Sequence, residues 1–291
     1  MKQDGGQNLI NWVIFIILSI IWGSSFILMK EGMKTLSAYQ VASLRIFSAG
    51  AILVPVAVKN LGKVDRKDIP YTILSGLLGS FFPAYLFCIA ETKLDSGIAG
   101  ILNALTPLFT VVLGVAFFGL QPSIWKWIGI LTGLAGLMLL IVSGSRDISF
   151  DNISYAGFIL IATVFYGLNV NMVSKRLKHI PSITLAAIAF STLVIPALAI
   201  LGFTGYFSLD LSPDMVYSTA ASAVLGIFGT AIASILFYML MKRAGALFAS
   251  MVTYGIPFVA LAWGYLAGEQ ITSAQLLCLG LILAGVYVAR R

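Results

Sequence analysis

Residues 12–29 read WVIFIILSIIWGSSFILM, and residues 154–174 read SYAGFILIATVFYGLNVNMVS. Each block is long enough to cross a hydrocarbon core ~30 Å thick. Each also interrupts its apolar run in the same way. Trp22-Gly23 is followed by Ser25, and Tyr166-Gly167 by Asn169, at an offset of 144 positions. Similar blocks recur along the chain and give ten spans, at 12–29, 38–58, 69–90, 97–120, 124–143, 154–174, 183–203, 215–241, 244–267 and 274–289. Hydrophobic residues make up 59% of the 291 residues and charged residues 10%. A soluble domain needs roughly a quarter of its residues charged to cover its surface. The expected fold is therefore an all-α membrane protein of ten transmembrane helices.

The net charge of +7 could suggest nucleic acid, but the distribution of charge points elsewhere. Basic residues sit in the gaps between apolar blocks and form no stripe interleaved with stacking aromatics, so a nucleic-acid partner is not expected. With the N-terminus placed inside, 13 of the 18 lysines and arginines fall on the inner side and 4 on the outer side, with Arg45 inside a span. The positive-inside rule then puts both termini in the cytoplasm of a multi-pass protein in a plasma membrane of the bacterial inner-membrane type. The first block has the length of a full span and no small-residue cleavage site closes it, so it reads as a retained helix and not as a signal peptide.

The likeness of the two quoted blocks extends to their neighbours. Lys34 meets Lys178 at the offset of 144, and Leu78-Gly79 meets Leu225-Gly226. Asn103 and Pro107 meet Thr253 and Pro257 at an offset of 150. Residues 12–143 and 154–289 thus read as two copies of a five-helix unit. Shared composition alone is the alternative source of such matches, but it does not produce a common order across five spans. Five is odd, so the second copy must enter the membrane from the opposite side. Inverted repeats of this kind let the two halves of a secondary transporter rock about a site at the bilayer midplane.

The run Ile-Trp-Gly-Ser-Ser-Phe at 21–26 resembles the first helix of EamA-type carriers in the drug/metabolite transporter superfamily. So do Leu44-Arg45, Pro107, Pro257, Gly268-Glu269 and the Leu-Ala-Gly-Val run at 283–286, a resemblance that covers essentially the whole chain. It implies ten helices, cytoplasmic termini, and export or exchange of amino acids, metabolites or drugs. It also implies a cavity lined by helices one to four and six to nine, with five and ten packed outside. The chain departs from duplication at Phe118-Gly119, which stands where the second half has Gly268-Glu269.

Candidate binding residues follow from polarity inside apolar helices. Proline lacks an N–H, so Pro107 and Pro257 free the carbonyls of Asn103 and Thr253. In a bilayer such a carbonyl must find protein, water or ligand. Asn103, Thr106 and Thr110 share one helix face, as do Trp22 with Ser25 and Tyr166 with Asn169. Such stripes either line a cavity or join helices by hydrogen bonds. The expected substrate-binding set is Trp22, Ser25, Asn103, Thr106, Tyr166, Asn169, Thr253 and Tyr254, with helix breaks at Pro107 and Pro257. Asn171 faces elsewhere and suits packing. Arg45 lies inside its span and needs a partner. An ion pair with Glu31, Glu91 or Glu269 that closes an outer gate is the first reading. Snorkelling to the surface and binding of a substrate carboxylate stay open.

Other chemistry lacks its residues. Cys88 and Cys278 lie inside apolar blocks, and the one histidine, His179, reads as a solvated loop residue. That leaves no set for a metal, a cofactor or an enzyme's nucleophile and base. No span has a carboxylate near its midpoint, so proton coupling would have to use interfacial acids. Small residues at Gly129, Gly133 and Gly136, and at Gly280, Ala284 and Gly285, suit close helix packing, either within the chain or in a homodimer. The expected partners are a small-molecule substrate and the lipid bilayer. The function that fits is a secondary transporter of small organic solutes, with a channel-like or facilitated permease as the alternative. Reporter tags in the loops after the first and sixth spans should report opposite faces of the membrane; the same face for both would contradict the inverted repeat.

Overall fold

The computed structural model describes residues 5–94, 96–143, 153–266 and 272–289, and these are helical with no strand among them. Six helical runs are long and apolar enough to cross a membrane: Asn8–Gly32, Ala38–Lys63, Ile69–Glu91, Ser154–Arg176, Ser182–Phe203 and Pro213–Ala244. Four shorter apolar helices cover Thr106–Phe118, Ile124–Leu139, Ala246–Val259 and Leu276–Ala289. The chain is a multi-span membrane protein.

The first run is α1 (Gly5–Gly32), and the second begins with α2 (Ala38–Asn60). Ser37 starts α2 with a capping box: its hydroxyl accepts from the Gln40 backbone N–H, and the Gln40 side chain accepts from the N–H of Ser37. Two donors that a helix start leaves open are satisfied in this way. The third run is not one regular helix. α3 (Ile69–Gly76) passes through a π-helical segment at Leu77–Phe81 into α4 (Phe82–Glu91). The fourth region is broken into α5 (Ser96–Asn103) and α6 (Thr106–Phe118), and α7 (Ile124–Ser143) follows. Then come α8 (Ile153–Arg176) and α9 (Ser182–Ser191) with α10 (Val194–Phe203). α11 (Pro213–Val224) runs through a second π segment at Leu225–Ile232 into α12 (Ala233–Ala244). α13 (Ala246–Ser250) meets α14 (Ile256–Leu266) through a 3-10 turn at Met251–Gly255, and α15 (Ser273–Ala289) ends the described chain.

Three of the expected continuous spans are thus interrupted: the fourth at Ala104-Leu105, the seventh at Thr192-Leu193 and the ninth at Met251–Gly255. The physical cause lies in the prolines. Pro107, Pro196 and Pro257 each fall within the first turns after a break, where a missing N–H costs least. Packing then follows α9 against α2, and α8 against both α4 and α6.

The seam between α7 and α15 shows what the small residues do. A Cβ at Gly285 would lie 2.5 Å from the backbone nitrogen of Gly133, and one at Gly136 would lie 2.9 Å from Ile282. The two helices therefore touch backbone to backbone, as small residues permit in membranes. Gly129, Gly133, Gly136 and Gly285 serve contacts inside the chain, whereas Gly280 faces open space. His179 is exposed, as expected of a loop residue, and gains a partner. It lies at the end of a basic loop, but its Nε2 stands 2.9 Å from Oδ2 of Asp68, whose side chain is buried just before α3. The histidine is solvated on one side and tied to a buried carboxylate on the other.

Replacing Gly285 with valine should wedge α7 from α15 and cost about 1–3 kcal/mol, the range for overpacking. The fall in thermal midpoint of the purified protein measures it, and Gly280→Val should leave that midpoint unchanged.

Candidate functional site

A cavity of about 90 Å³ opens at the centre of the helices, lined from seven of the helical regions. Its geometry starts from the irregular backbone. In the π segment of the eighth region the Gly229 carbonyl accepts a hydrogen bond from Trp22 Nε1 at 3.1 Å. The next residue, Thr230, accepts from Arg45 Nε at 2.7 Å through its hydroxyl. A regular α-helix spends each carbonyl on the N–H four residues ahead, so a π segment is a natural place for such an outside contact. Gly226 makes the approach possible. A Cβ there would collide with Ser48 Oγ and the Arg45 carbonyl, so α2 is held against this segment by a missing side chain. The π segment of the third run acts alike: Gly79 leaves room for the Asn169 amide of α8, and Ser80 faces the cavity.

Of the eight expected binding residues, seven line the cavity. Trp22 and Ser25 come from α1, Asn103 and Thr106 from the broken fourth region, Tyr166 and Asn169 from α8, and Thr253 from the 3-10 turn. Tyr254 does not line it. It is fully buried and turns to α7, where its hydroxyl donates to the Ile130 carbonyl at 3.0 Å. Adjacent residues in a 3-10 turn point about 120° apart, so Thr253 and Tyr254 cannot face the same space. Thr110 is also diverted. Its hydroxyl bonds to the Thr106 carbonyl, and its own carbonyl accepts from Asn171 Nδ2 at 2.8 Å, which makes Asn171 a packing residue.

The freed carbonyls at the two prolines find partners inside the protein. Thr106 Oγ1 donates to the Asn103 carbonyl at 2.7 Å, and the Ile256 backbone N–H donates to the Thr253 carbonyl. Pro107 and Pro257 therefore shape the site, while side chains and not bare carbonyls face the cavity. Asn169 is different. Its Oδ1 is buried and accepts no hydrogen bond from the described residues.

Two of the three partners expected for Arg45 at a gate do not meet it. It forms no ion pair among the described residues; its guanidinium lines the cavity, bonded to Thr230 and in contact with Met29 Sδ at 3.9 Å. Glu31 is taken instead by Lys34 at 2.6 Å, an exposed pair whose hydrogen bond pushes the Lys34 ammonium's pKa up. Glu91 is buried, with Ser96 Oγ 3.4 Å from its Oε2, and Glu269 lies outside the described residues. Among the described residues, Arg45 is the lone arginine, lysine or carboxylate on the wall of this cavity.

Sequence reasoning missed Ser80, Thr230, Ser234, Phe87, Phe237 and Tyr238, all on the wall. A signal existed. At an offset of 150, and not 147, Gly79-Ser80 meets Gly229-Thr230, and Leu86-Phe87 meets Leu236-Phe237. The helices α9 and α10 give no lining residue, since α9 is spent on packing against α2. None comes from α7 or α15 either.

Basic side chains tie the helices together on both sides of the cavity. Along α1, Asn11 lies toward one end, Trp22 to Met29 at the cavity, and Lys30 beyond it. Lys30 Nζ donates to the carbonyls of Glu91 (2.8 Å) and Leu94 (3.2 Å). At the opposite end Arg243 Nε donates to Asn11 Oδ1 at 3.0 Å, Lys175 Nζ to the Phe118 carbonyl at 2.9 Å, and Lys242 to the Ile180 carbonyl.

The sequence profile of the EamA-like transporter family matches residues 10–142 and again 153–291. An "Uncharacterized transporter" of Archaeoglobus fulgidus is 25% identical over 283 residues, 96% of this chain and 98% of its own. The "Uncharacterized inner membrane transporter YedA" of Escherichia coli K12 is 26% identical over 282 residues, 92% and 87% of the two chains. A "Probable amino-acid metabolite efflux pump" of the same strain is 25% identical over 290 residues, 95% and 93%. A solved crystal structure superposes with a TM-score of 0.73 at 18% identity, covering 99% of this chain and 97% of its own, which speaks to the fold.

Tyr254→Phe should cost about 1 kcal/mol of stability, the usual net value of one hydrogen bond, and leave solute uptake into proteoliposomes unchanged. Gly79→Ala should impair uptake, because its methyl displaces the Asn169 amide. Lost uptake in Tyr254→Phe would place that tyrosine back on the transport path.

Proposed function

The chain belongs to the EamA-like transporter family, and from that premise we propose that it is a secondary transporter that exports or exchanges a small zwitterionic organic solute of the amino-acid type. In this reading its ten helices form two inverted five-helix repeats, 12–143 and 154–289, with both termini cytoplasmic. One observation carries the proposal: among the described residues Arg45 is the one charged side chain that lines the cavity, and Asn169, whose buried Oδ1 has no hydrogen-bond partner there, lines it from the other side. Arg45 offers a guanidinium for a carboxylate, and the Asn169 amide offers polarity for the rest of the solute. Charge-assisted hydrogen bonds of this kind are stronger than neutral ones. Trp22, Phe87, Tyr166 and Phe237 supply apolar walls for the rest of the solute.

Size supports a metabolite over a drug. Drug-sized ligands occupy pockets of about 300–1,000 Å³, against about 90 Å³ here. The relative named as a probable amino-acid metabolite efflux pump points the same way. The repeat reading is supported by the pairs that meet at the cavity at fixed offsets: Trp22 with Tyr166, Ser25 with Asn169, Asn103 with Thr253 and Ser80 with Thr230. Matching halves of opposite sense allow one site to face either side in turn. A channel-like permease is the alternative. The ties from Lys30 at one end of α1 and from Arg243 at the other favour a carrier, which needs closures on both sides of its site.

A thermal-shift screen of the L-amino acids on purified protein, followed by uptake into proteoliposomes, tests this reading. Saturable uptake with counterflow is expected for a carrier; linear flux without counterflow supports the permease instead. Arg45→Ala should weaken the binding of the stabilising amino acid roughly thirtyfold, the equivalent of about 2 kcal/mol for a lost charged hydrogen bond. Wild-type affinity in Arg45→Ala would remove the carboxylate from this site.

A further inference from the structure

Two faces of α1 border two different spaces. Trp22, Ser25, Phe26 and Met29 look into the central cavity. Phe15, Ile16, Ser19, Ile20 and Ser24 line a second space, a groove of about 490 Å³ between α1, the stretch from Tyr254 to Trp263, and α15. Its floor is buried: Phe15, Ser19, Tyr254 and Val286 are each no more than 5% exposed. Its rims stand out to the surroundings at Ile16, Ile20, Trp263 and Leu283. Val13, Ile17 and Ile27 of α1 are exposed as well, so the rim continues into the outer apolar surface of a chain that spans a membrane.

The chemistry of the lining turns polar occupants away. No described lining residue carries a charge. The polar groups present are spent within the protein. Ser19 Oγ donates to the Phe15 carbonyl at 2.8 Å, Tyr254 Oη to the Ile130 carbonyl at 3.0 Å, and Trp263 Nε1 to Ser24 Oγ at 3.0 Å. A buried water needs about two to four polar partners, and this lining holds no such set. Left empty, the groove would forfeit the dispersion contacts of its walls. Its occupant is therefore apolar.

Length and position narrow the choice. At a rise of about 1.5 Å per residue, Phe15 to Ser24 covers about 13 Å of α1, close to half of a hydrocarbon core ~30 Å thick. The apolar run of this helix is Asn8–Gly32, so Phe15 lies toward one membrane surface and Ser24 near the middle. The groove thus has the depth of one leaflet. Its outer end is closed by an aromatic cluster, with the Trp12 ring 5.4 Å from Phe15 and 5.3 Å from Phe248. Tryptophan is the residue favoured at the level of lipid headgroups. Its inner end is closed by the Ser24–Trp263 hydrogen bond.

We propose that this groove is a binding site for one acyl chain of a membrane phospholipid, drawn from the leaflet on the Trp12 side, with the methyl end of the chain at Ser24 and Trp263. A lipid tail gains no hydrophobic free energy by leaving the bilayer for a protein surface, because both are equally apolar. Packing is what retains it. A lipid against a convex helix touches the protein on one side, whereas a chain in this groove touches α1, α14 and α15 together. The site does not depend on which solute the central cavity takes.

The test uses the full-length protein in nanodiscs of phosphatidylethanolamine and phosphatidylglycerol, doped with a phosphatidylethanolamine that carries a diazirine near the end of one acyl chain. After illumination, peptide mass spectrometry maps the label. Label at Ile20, Ala262 and Leu283 should exceed severalfold that at Ile195 and Leu198, exposed residues of α10. Ala262→Trp puts a ring into the groove, so it should lower the label at Ile20 and Leu283 severalfold and leave that at Ile195 unchanged. Native mass spectrometry should show a phospholipid retained on the wild-type chain and lost from Ala262→Trp. If Ala262→Trp does not fold, Leu283→Trp makes the same comparison, and the wild-type map decides by itself. Equal label in the groove and on α10 overturns the proposal, since only the ordinary lipid shell is then present. Label that the filled groove leaves in place overturns it too. So does a two-chain species that Ala262→Trp dissociates, which would give the groove to a second copy of the chain.

Discussion

Inside a hydrocarbon layer no water is at hand to accept or donate a hydrogen bond, so each backbone group released from a helix must be caught by the chain itself. Much of this structure can be understood as compliance with that demand. Thr106 catches the carbonyl freed at Pro107, the Ile256 N–H catches the one at Thr253, Trp22 uses the Gly229 carbonyl, and Asn171 spans from α8 to the Thr110 carbonyl. Three of these four repairs lie at the edge of one cavity. Irregular backbone and the proposed site are here the same region, because polar side chains that can complete the bonding converge there.

Glycine controls how closely those repairs can be made. Gly226 admits α2 to the second π segment, and Gly79 admits Asn169 to the first. The two halves do not finish the site alike. Arg45 has Ala189 at the equivalent offset, and the helix that carries Ala189 is spent on packing. The cation thus comes from one half and the unpartnered acceptor, Asn169 Oδ1, from the other. On the proposed reading, a solute with unlike ends has one preferred direction in such a pocket.

The sequence made the helices, their apolar faces, Arg45 and seven of the expected binding residues on the cavity wall legible, because polar side chains are rare enough in these blocks to stand out. Trp22, Ser25, Tyr166 and Asn169 could be found by matching the two halves. Ser80 and Thr230 could have been found by the same method at the right offset. The π segments themselves have no distinct composition, so LLGSF and LGIFGTAI read as ordinary helix. Tyr254 was misplaced because a 3-10 turn rotates neighbouring residues further apart than an α-helix does. Glu91 read as an interfacial acid because it ends its apolar block, and its burial depends on α1 and α5 closing over it. His179 is solvated as read, while its bond to Asp68, more than a hundred positions away, left no local signal.

The ties at the two ends of the cavity share a chemical trait: Lys30, Lys175 and Lys242 reach for main-chain carbonyls, not for carboxylates. Two of these targets, at Glu91 and Phe118, are the last residues of helices, where carbonyls lack partners and carry partial negative charge. When such a tie lets go, both groups return to water, and no stripped anion stays behind. On the proposed carrier reading, closure is divided among several modest contacts, and the passage from one face to the other is an unzipping in small steps.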